Sequence, residues 1–370
     1  MSTIDGLELH PGAAPEKKKS HVGTIVNLAL IALAFALLAL VVRQNRDKIL
    51  EVFSRKLDLR ILLAGIVIFQ LSVMLTFVRW YTLVRVIEPR FKLRSTFLLG
   101  FIGYVFNLVI PGAVGGDLIK AAYLVRMHIR KTQAVASMII DRILGLLGLF
   151  ILASVAGVAA WGMATPAVQK LILAAWIATA AGFLLLAAIF GRVVSRFFPR
   201  AAEPHHGKLA GILAELNTMS ATYQSRLDAV ALALGMSIVG HSLNVFAFYL
   251  MGKMLFPDMT VTLGQHFLMG PLTLFTMAVP LPFGALGLSE GVADQLLGLV
   301  GHPSGALAMM GFRVLMYACG LTGALVYLAN LKDVRGLTAA AHEIEHELVE
   351  GELDDEAPGA AEEPSPAPAP

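Results

Sequence analysis

Cysteine is nearly missing from this chain: Cys319 is the only one in 370 residues. That excludes an intramolecular disulfide and any cysteine-based metal cluster. Charge is scarce as well, at 15% of residues, against roughly 25% in an ordinary soluble domain. The net balance is only +3, and the basic residues gather between apolar runs, a distribution that sets membrane topology and does not suit nucleic acid. Walker, Rossmann and serine-hydrolase patterns are also absent, which speaks against an ATP-driven pump within this chain. What is abundant is apolar: 57% hydrophobic residues and a mean hydropathy of +0.73. A soluble fold of that composition would expose more apolar surface than water tolerates.

A helix crosses a bilayer with about 20 mostly apolar residues. Six runs qualify: Val22–Val42, Ile61–Val84, Val135–Trp161, Val168–Phe190, Leu227–Leu255 and Ala306–Leu328. The first is too long for a signal-peptide core and leads straight into Arg43, so it reads as a retained helix. Two further apolar regions are interrupted. Thr96–Val125 is broken by Pro111-Gly112 and Gly115-Gly116, and Leu263–Val300 by Pro280, Pro282, Gly284 and Gly287. Each break leaves two arms too short to span comfortably, and backbone freed at membrane depth must be shielded by protein or line a cavity. The expectation is an all-α polytopic membrane protein of about six spanning helices plus two broken or re-entrant segments. A pair of merely kinked helices is the plainer alternative.

Lysine and arginine counts orient the chain with both termini cytoplasmic, on Lys17–Lys19, Arg85–Arg94, Arg126–Lys131, Arg192–Arg226 and Lys332–Arg335. One loop dissents. Arg43 to Arg60 carries six basic residues yet would lie outside, softened only by Asp47, Glu51 and Asp58. Residues 1–21 form a polar N-terminal segment and 22–331 the membrane domain, with halves at 22–161 and 168–331; 332–370 is an acidic, Pro-rich tail expected to be disordered. Leu209–Tyr223 reads as a surface helix on the inner side.

The two broken segments resemble each other. Pro111-Gly112-Ala113-Val114-Gly115-Gly116-Asp117 parallels Pro282-Phe283-Gly284-Ala285-Leu286-Gly287-Leu288-Ser289-Glu290. In each half the next helix carries an arginine: Arg142 lies 25 positions after Asp117, and Arg313 lies 23 after Glu290. Three crossings per unit would give the second copy the opposite sense, so inverted repeats with discontinuous helices are expected, a transporter architecture.

The run Asn107, Pro111-Gly112, Gly115-Gly116-Asp117 with the later pair Asp141-Arg142, and Pro282-x-Gly284-x-x-Gly287-x-x-Glu290, resembles the lysylphosphatidylglycerol synthase transmembrane family. The resemblance covers roughly Gly23 to Leu331. Lys120 stands where arginine is more usual, and Asp141 where glutamate is common; both keep the charge. That family includes the flippase domain of bacterial enzymes that aminoacylate phosphatidylglycerol, as well as stand-alone integral membrane proteins. Only a short acidic stretch is read after Asn330, so the aminoacyl-transferase domain of those enzymes is not expected here. The resemblance therefore implies lipid handling in the bacterial inner membrane, and not synthesis of the aminoacyl lipid.

Charge inside a bilayer costs a few kcal/mol, about 2.5–3.5 on insertion scales, and normally faces a polar cavity or a partner. Asp117, Glu290, Arg142 and Arg313 fit that description. Half-helices starting at Gly116 or Ser289 would aim N–H groups at an anionic headgroup, and arginine matches phosphate in a bidentate way. The substrate-binding set is thus Asp117, Lys120, Arg142, Glu290 and Arg313, with Asn107, His241 and Asn244 as weaker candidates. A structural reading stands beside it, in which the acids only cap helices and neutralise the arginines. For His241 and Asn244 the competing role is helix–helix hydrogen bonding. Asn107 is expected to satisfy carbonyls freed at the Pro111 break. Asp294, four after Glu290, either extends an acidic face or sits near the surface. His342-Glu343-Ile344-Glu345-His346 matches H-E-x-x-H, but no histidine follows as a third zinc ligand, so a solvated stub is expected and no metal or other cofactor.

The expected function is binding and translocation of an anionic or aminoacylated phospholipid, or of a lipid-linked headgroup. An ion gradient or lipid mass action would drive it, with Glu290 or Asp117 able to cycle a proton. The alternative is a non-transporting accessory subunit that scaffolds a membrane enzyme partner. An intramembrane enzyme using Asp117 and Glu290 as acid and base lacks a nucleophile, so no catalytic activity is expected.

Overall fold

In a computed structural model the described residues are 21–109, 115–191, 220–279 and 281–331, with a two-residue ladder pairing Thr3–Ile4 with Leu7–Glu8 and the single positions 337 and 344. Apart from short turns and loops, the rest of the described chain is helical. All six long apolar runs are helices: α1 (His21–Gln44), α3 (Leu59–Ile87), α6 (Lys131–Ala160), α7 (Pro166–Phe190), α8 (Leu227–Leu255) and α11 (Gly305–Ala329). Five are long and apolar enough to cross a membrane, and α1 is followed by α2 (Arg46–Ser54) at a bend of 70°, a sixth candidate if the pair is counted as one span. The chain is a multi-pass α-helical membrane protein.

The helices start where capping chemistry places them. Asp58 accepts from the Arg60 N–H ahead of α3, Thr165 precedes a proline at the first turn of α7, and the Ser304 hydroxyl accepts from the Leu307 N–H at the head of α11. Large apolar side chains are exposed along one stripe of a helix while the opposite stripe packs inward. Leu63, Val67 and Leu71 on α3, and Leu321, Leu325 and Leu328 on α11, face outward, whereas Phe69, Val73 and Phe77 are buried. Water would not tolerate the outward stripes; acyl chains do.

The central scaffold is the antiparallel pair α3 and α8. The Ser72 hydroxyl donates to the Gly240 carbonyl at 2.9 Å, Arg79 Nη1 to the Ser237 hydroxyl at 3.0 Å, and the Tyr223 hydroxyl to the Leu83 carbonyl at 3.3 Å. Both interrupted regions fold back on themselves against this pair. The first comprises α4 (Leu93–Val109) and α5 (Gly115–Arg126). Its two outer ends meet, since Phe91 before α4 and Tyr123 near the end of α5 place their rings 6.3 Å apart. The second comprises α9 (Leu263–Phe275) and α10 (Leu288–Gly298), and the rings of His266 and His302 at its outer ends lie 5.6 Å apart. Phe91 sits beyond the C-terminal end of α3, while Phe256 beyond the C-terminal end of α8 packs on His302 at 5.7 Å. Because α3 and α8 are antiparallel, the two hairpins enter the bundle from opposite ends.

Several expectations need adjustment. The charged stretch from Arg43 to Arg60 is not a plain loop, since α2 occupies its middle. Pro111 and Gly112, most of Leu209–Tyr223, and four of the five residues of the H-E-x-x-H match lie outside the described residues. Beyond Leu331 only Leu337 and Ile344 are described, both buried with Phe91, Ile119 and Tyr123.

Candidate functional site: two acid–arginine clusters at the hairpin turns

In the first hairpin, the backbones of α4 and α5 approach so closely that a Cβ on Gly116 would sit 2.0 Å from the Gly103 carbonyl oxygen. Only glycine fits there. The Gly116 N–H, left without a helical partner at the start of α5, donates to Asn107 Oδ1 at 2.8 Å. Asn107 thus satisfies a freed N–H at the start of α5, while the carbonyls at the Pro111 break lie outside the described residues. One residue on, Asp117 gathers two cations: Lys120 Nζ lies 3.2 Å from its Oδ1, and Arg142 of α6 donates from Nε at 2.7 Å and Nη2 at 2.6 Å to its Oδ2. Lys120 also lies over the Trp80 ring at 5.1 Å. The Asp117 side chain is 14% exposed and that of Arg142 is 44% exposed, so the arginine is the more exposed partner of the pair.

The second hairpin turns through Phe283, Gly284 and Ala285, all at positive φ (57°, 65° and 53°), and Gly287 at 83°. At Gly287 any Cβ would meet Leu37 Cβ and Leu38 N of α1 at 2.5 Å. Two of these left-handed residues are not glycine, a strained arrangement that needs outside support. Arg313 supplies it, donating to the Phe283 carbonyl at 2.5 Å, the Gly284 carbonyl at 3.0 Å and the Ser289 hydroxyl at 2.6 Å. It also pairs with Glu290, whose Oε2 accepts from the Gly287 N–H at 2.7 Å. Side-chain exposure is 4% for Arg313 and 0% for Glu290. This second pair is closed and fully engaged within the protein.

The four predicted ionic residues therefore form two clusters with no member in common, each acid joined to the arginine of its own half. His241 Nε2 lies 3.0 Å from the Gly145 carbonyl, bridging α8 to α6, while the buried Asn244 Oδ1 has no hydrogen-bond partner among the described residues. Asp294 Oδ1 accepts from the Ala306 N–H and lies 3.1 Å from the Ser304 hydroxyl, tying α10 to α11. Among the described residues no group of three metal-ligating side chains is assembled.

Sequence reasoning missed Arg79. It lies in the middle of the bundle and forms a bidentate pair with Asp141, with Nε and Nη2 each 2.8 Å from a carboxylate oxygen. A Cβ on Gly145 would come within 2.9 Å of its Nη1. The neighbours Asp141 and Arg142 thus serve different clusters. The available signal was a lone arginine inside an otherwise apolar run, which at that depth demands an acid.

Spanning helices with two opposed re-entrant hairpins, each carrying an acid–arginine pair at its turn, define a polytopic membrane protein whose polar groups are concentrated inside the bundle. Residues 23–323 match the family described as the lysylphosphatidylglycerol synthase TM region, and the chain belongs to that family. No curated protein matches it.

Proposed function

We propose that the protein binds and translocates an anionic or aminoacylated phospholipid, or a lipid-linked anionic headgroup, across the bacterial inner membrane. In this reading both termini are cytoplasmic and the protein has no catalytic activity of its own. One observation carries the reading: at the first hairpin turn, inside an apolar bundle, the exposed member of the charged cluster is Arg142, supported by Lys120. A planar guanidinium already oriented by a carboxylate is well suited to exchange that partner for a phosphate. Asp117 then keeps Lys120, so the carboxylate is never left bare, and the same acid can meet the ammonium of an aminoacyl headgroup.

The two hairpins are, in this reading, inverted equivalents caught in different states, the Asp117 turn open and the Glu290 turn closed. Alternating exposure of the two turns would carry a headgroup from one end of the bundle to the other. The two halves, 22–161 and 168–331, are the moving units.

Native mass spectrometry of protein released from membranes tests the binding step. Wild type should retain anionic phospholipid, and Arg142→Ala should lose most of it. Equal retention by both would remove the first hairpin from the site. Retention of a membrane enzyme instead of lipid would favour a scaffolding subunit.

A further inference from the structure

The stretch from Arg43 to Arg60 carries six basic residues against the three acids Asp47, Glu51 and Asp58, with Arg55 paired to Glu51, and the Asp117 cluster makes no use of this surplus. We propose that α2, with the crevice between α1 and α10, is a second site that binds an anionic phospholipid. The depth of α2 follows from its flanks. Helix α1 still exposes Leu40 and Val42 just before the bend, and α3 exposes Leu59 and Leu63 from its first turn, so lipid reaches both junctions. Between them α2 turns by 70° from α1 and runs along the headgroup layer instead of out into water.

Its faces are sorted accordingly. Val52 is buried against the bundle, while Leu50 and Phe53, three apart on the outer face, are 59% and 79% exposed. An aromatic ring that bare at this depth belongs in the acyl boundary. Arg43, Arg46 and Lys56 are exposed beside it, and long basic side chains placed this way carry their charge up to phosphate. Lys48 is held in place by the Pro303 carbonyl at 2.6 Å and fixes α2 to the turn before α11.

The crevice opens at the foot of α2. Leu37, Leu40 and Val41 of α1 and Leu288, Gly291 and Val292 of α10 line a space of about 270 Å³, which ends at Gln44 and Gln295. The acid in its lining, Asp294, is engaged by the Ala306 N–H and the Ser304 hydroxyl. Apolar walls topped by amides, beneath an arginine- and lysine-bearing helix, fit an acyl chain with an anionic headgroup and do not fit free phosphate. The crevice also borders Gly287, the start of the closed turn. This site therefore rests in part on the lipid-handling reading, but its occupancy can be measured without transport.

Phe53→Trp in nanodiscs containing brominated lipid provides the measurement, with the signal of Trp80, Trp161 and Trp176 subtracted using wild type. Quenching should be stronger with brominated phosphatidylglycerol than with brominated phosphatidylcholine at equal mole fraction, and the preference should fade with added salt. Arg46→Gln combined with Lys56→Gln, both surface changes, should cut the preference by about twenty-five-fold, at about fivefold per basic residue. Gly291→Leu, which fills the crevice, should lower the phosphatidylglycerol retained after detergent extraction. Equal quenching by the two lipids, or a preference untouched by the double charge change, would overturn the proposal. Arg142→Ala separates the two sites: it should keep this preference even where it abolishes transport.

Discussion

Replacing Arg313 by alanine should damage the fold, whereas replacing Arg142 by alanine should damage ligand binding, although the sequence presents the two arginines as equivalents. Arg313 pairs with Glu290 at 0% side-chain exposure and holds the carbonyls of Phe283 and Gly284 in a left-handed turn. Removing it leaves a buried carboxylate unpaired, which costs about 3–5 kcal/mol, and orphans two carbonyls at about 1–3 kcal/mol each if water cannot reach them. Against a total stability of about 5–15 kcal/mol, that loss is close to unfolding. Arg142 differs because its side chain is 44% exposed and Asp117 retains Lys120 at 3.2 Å. Because Asp117 keeps that cation, removing Arg142 strands no bare carboxylate and should cost less than removing Arg313. Cys319 provides the assay, being the only cysteine and fully buried: a thiol-reactive dye reports unfolding on heating. Arg313→Ala should react far earlier than wild type and Arg142→Ala close to it, while Glu290→Gln with Arg313→Gln should recover part of the loss by removing both charges. An Arg313→Ala protein with unaltered Cys319 protection would refute the assignment of a structural role.

The same dye assay checks four further expectations. Gly116→Ala should prevent the close α4–α5 approach and yield little folded protein, because its Cβ would lie 2.0 Å from backbone oxygen. Asn107→Ala should cost about 0.5–2 kcal/mol through the uncapped Gly116 N–H, visible as a modest fall in melting temperature. Asp141→Asn should cost several kcal/mol, about 3–5, by stranding the buried Arg79, with Ser237→Ala much milder. His302, in the turn before α11, has its pKa pushed down to about 4, by burial first and then by neighbouring His266. The fold therefore favours the neutral ring. Its stabilisation is complete above the ordinary histidine value near 6.5 and is lost as pH falls toward 4, so melting temperature should drop over that window and His302→Gln should flatten the drop.

Apolar run length was enough to locate all six long helices, because spanning a bilayer leaves little freedom in sequence. The breaks were legible for the same reason, since Pro and Gly at membrane depth have few uses. What could not be read was how the charges would pair. Asp141 and Arg142 are adjacent, yet successive helical positions point about 100° apart, so one faces Arg79 and the other Asp117. The contrast between a partly exposed Arg142 and a buried Arg313 was equally hidden. It depends on how the second turn folds, with Phe283 and Ala285 in conformations that sequence rarely announces. Helix α2 was missed because six basic residues between two apolar runs looked like a loop, while Leu50 and Phe53 were too few to register as an apolar face.

The central claim is that Arg142 at the first hairpin turn handles an anionic lipid headgroup. Its most direct test is lipid movement in proteoliposomes containing fluorescently labelled phosphatidylglycerol, followed by quenching of the outer leaflet with dithionite. Wild type should make more than the outer-leaflet half of the label accessible at a rate well above that of protein-free liposomes. Arg142→Ala should fall to the protein-free rate while its Cys319 protection stays near wild type, and Arg142→Lys should recover only part of the activity. Movement at the wild-type rate in folded Arg142→Ala would contradict the account.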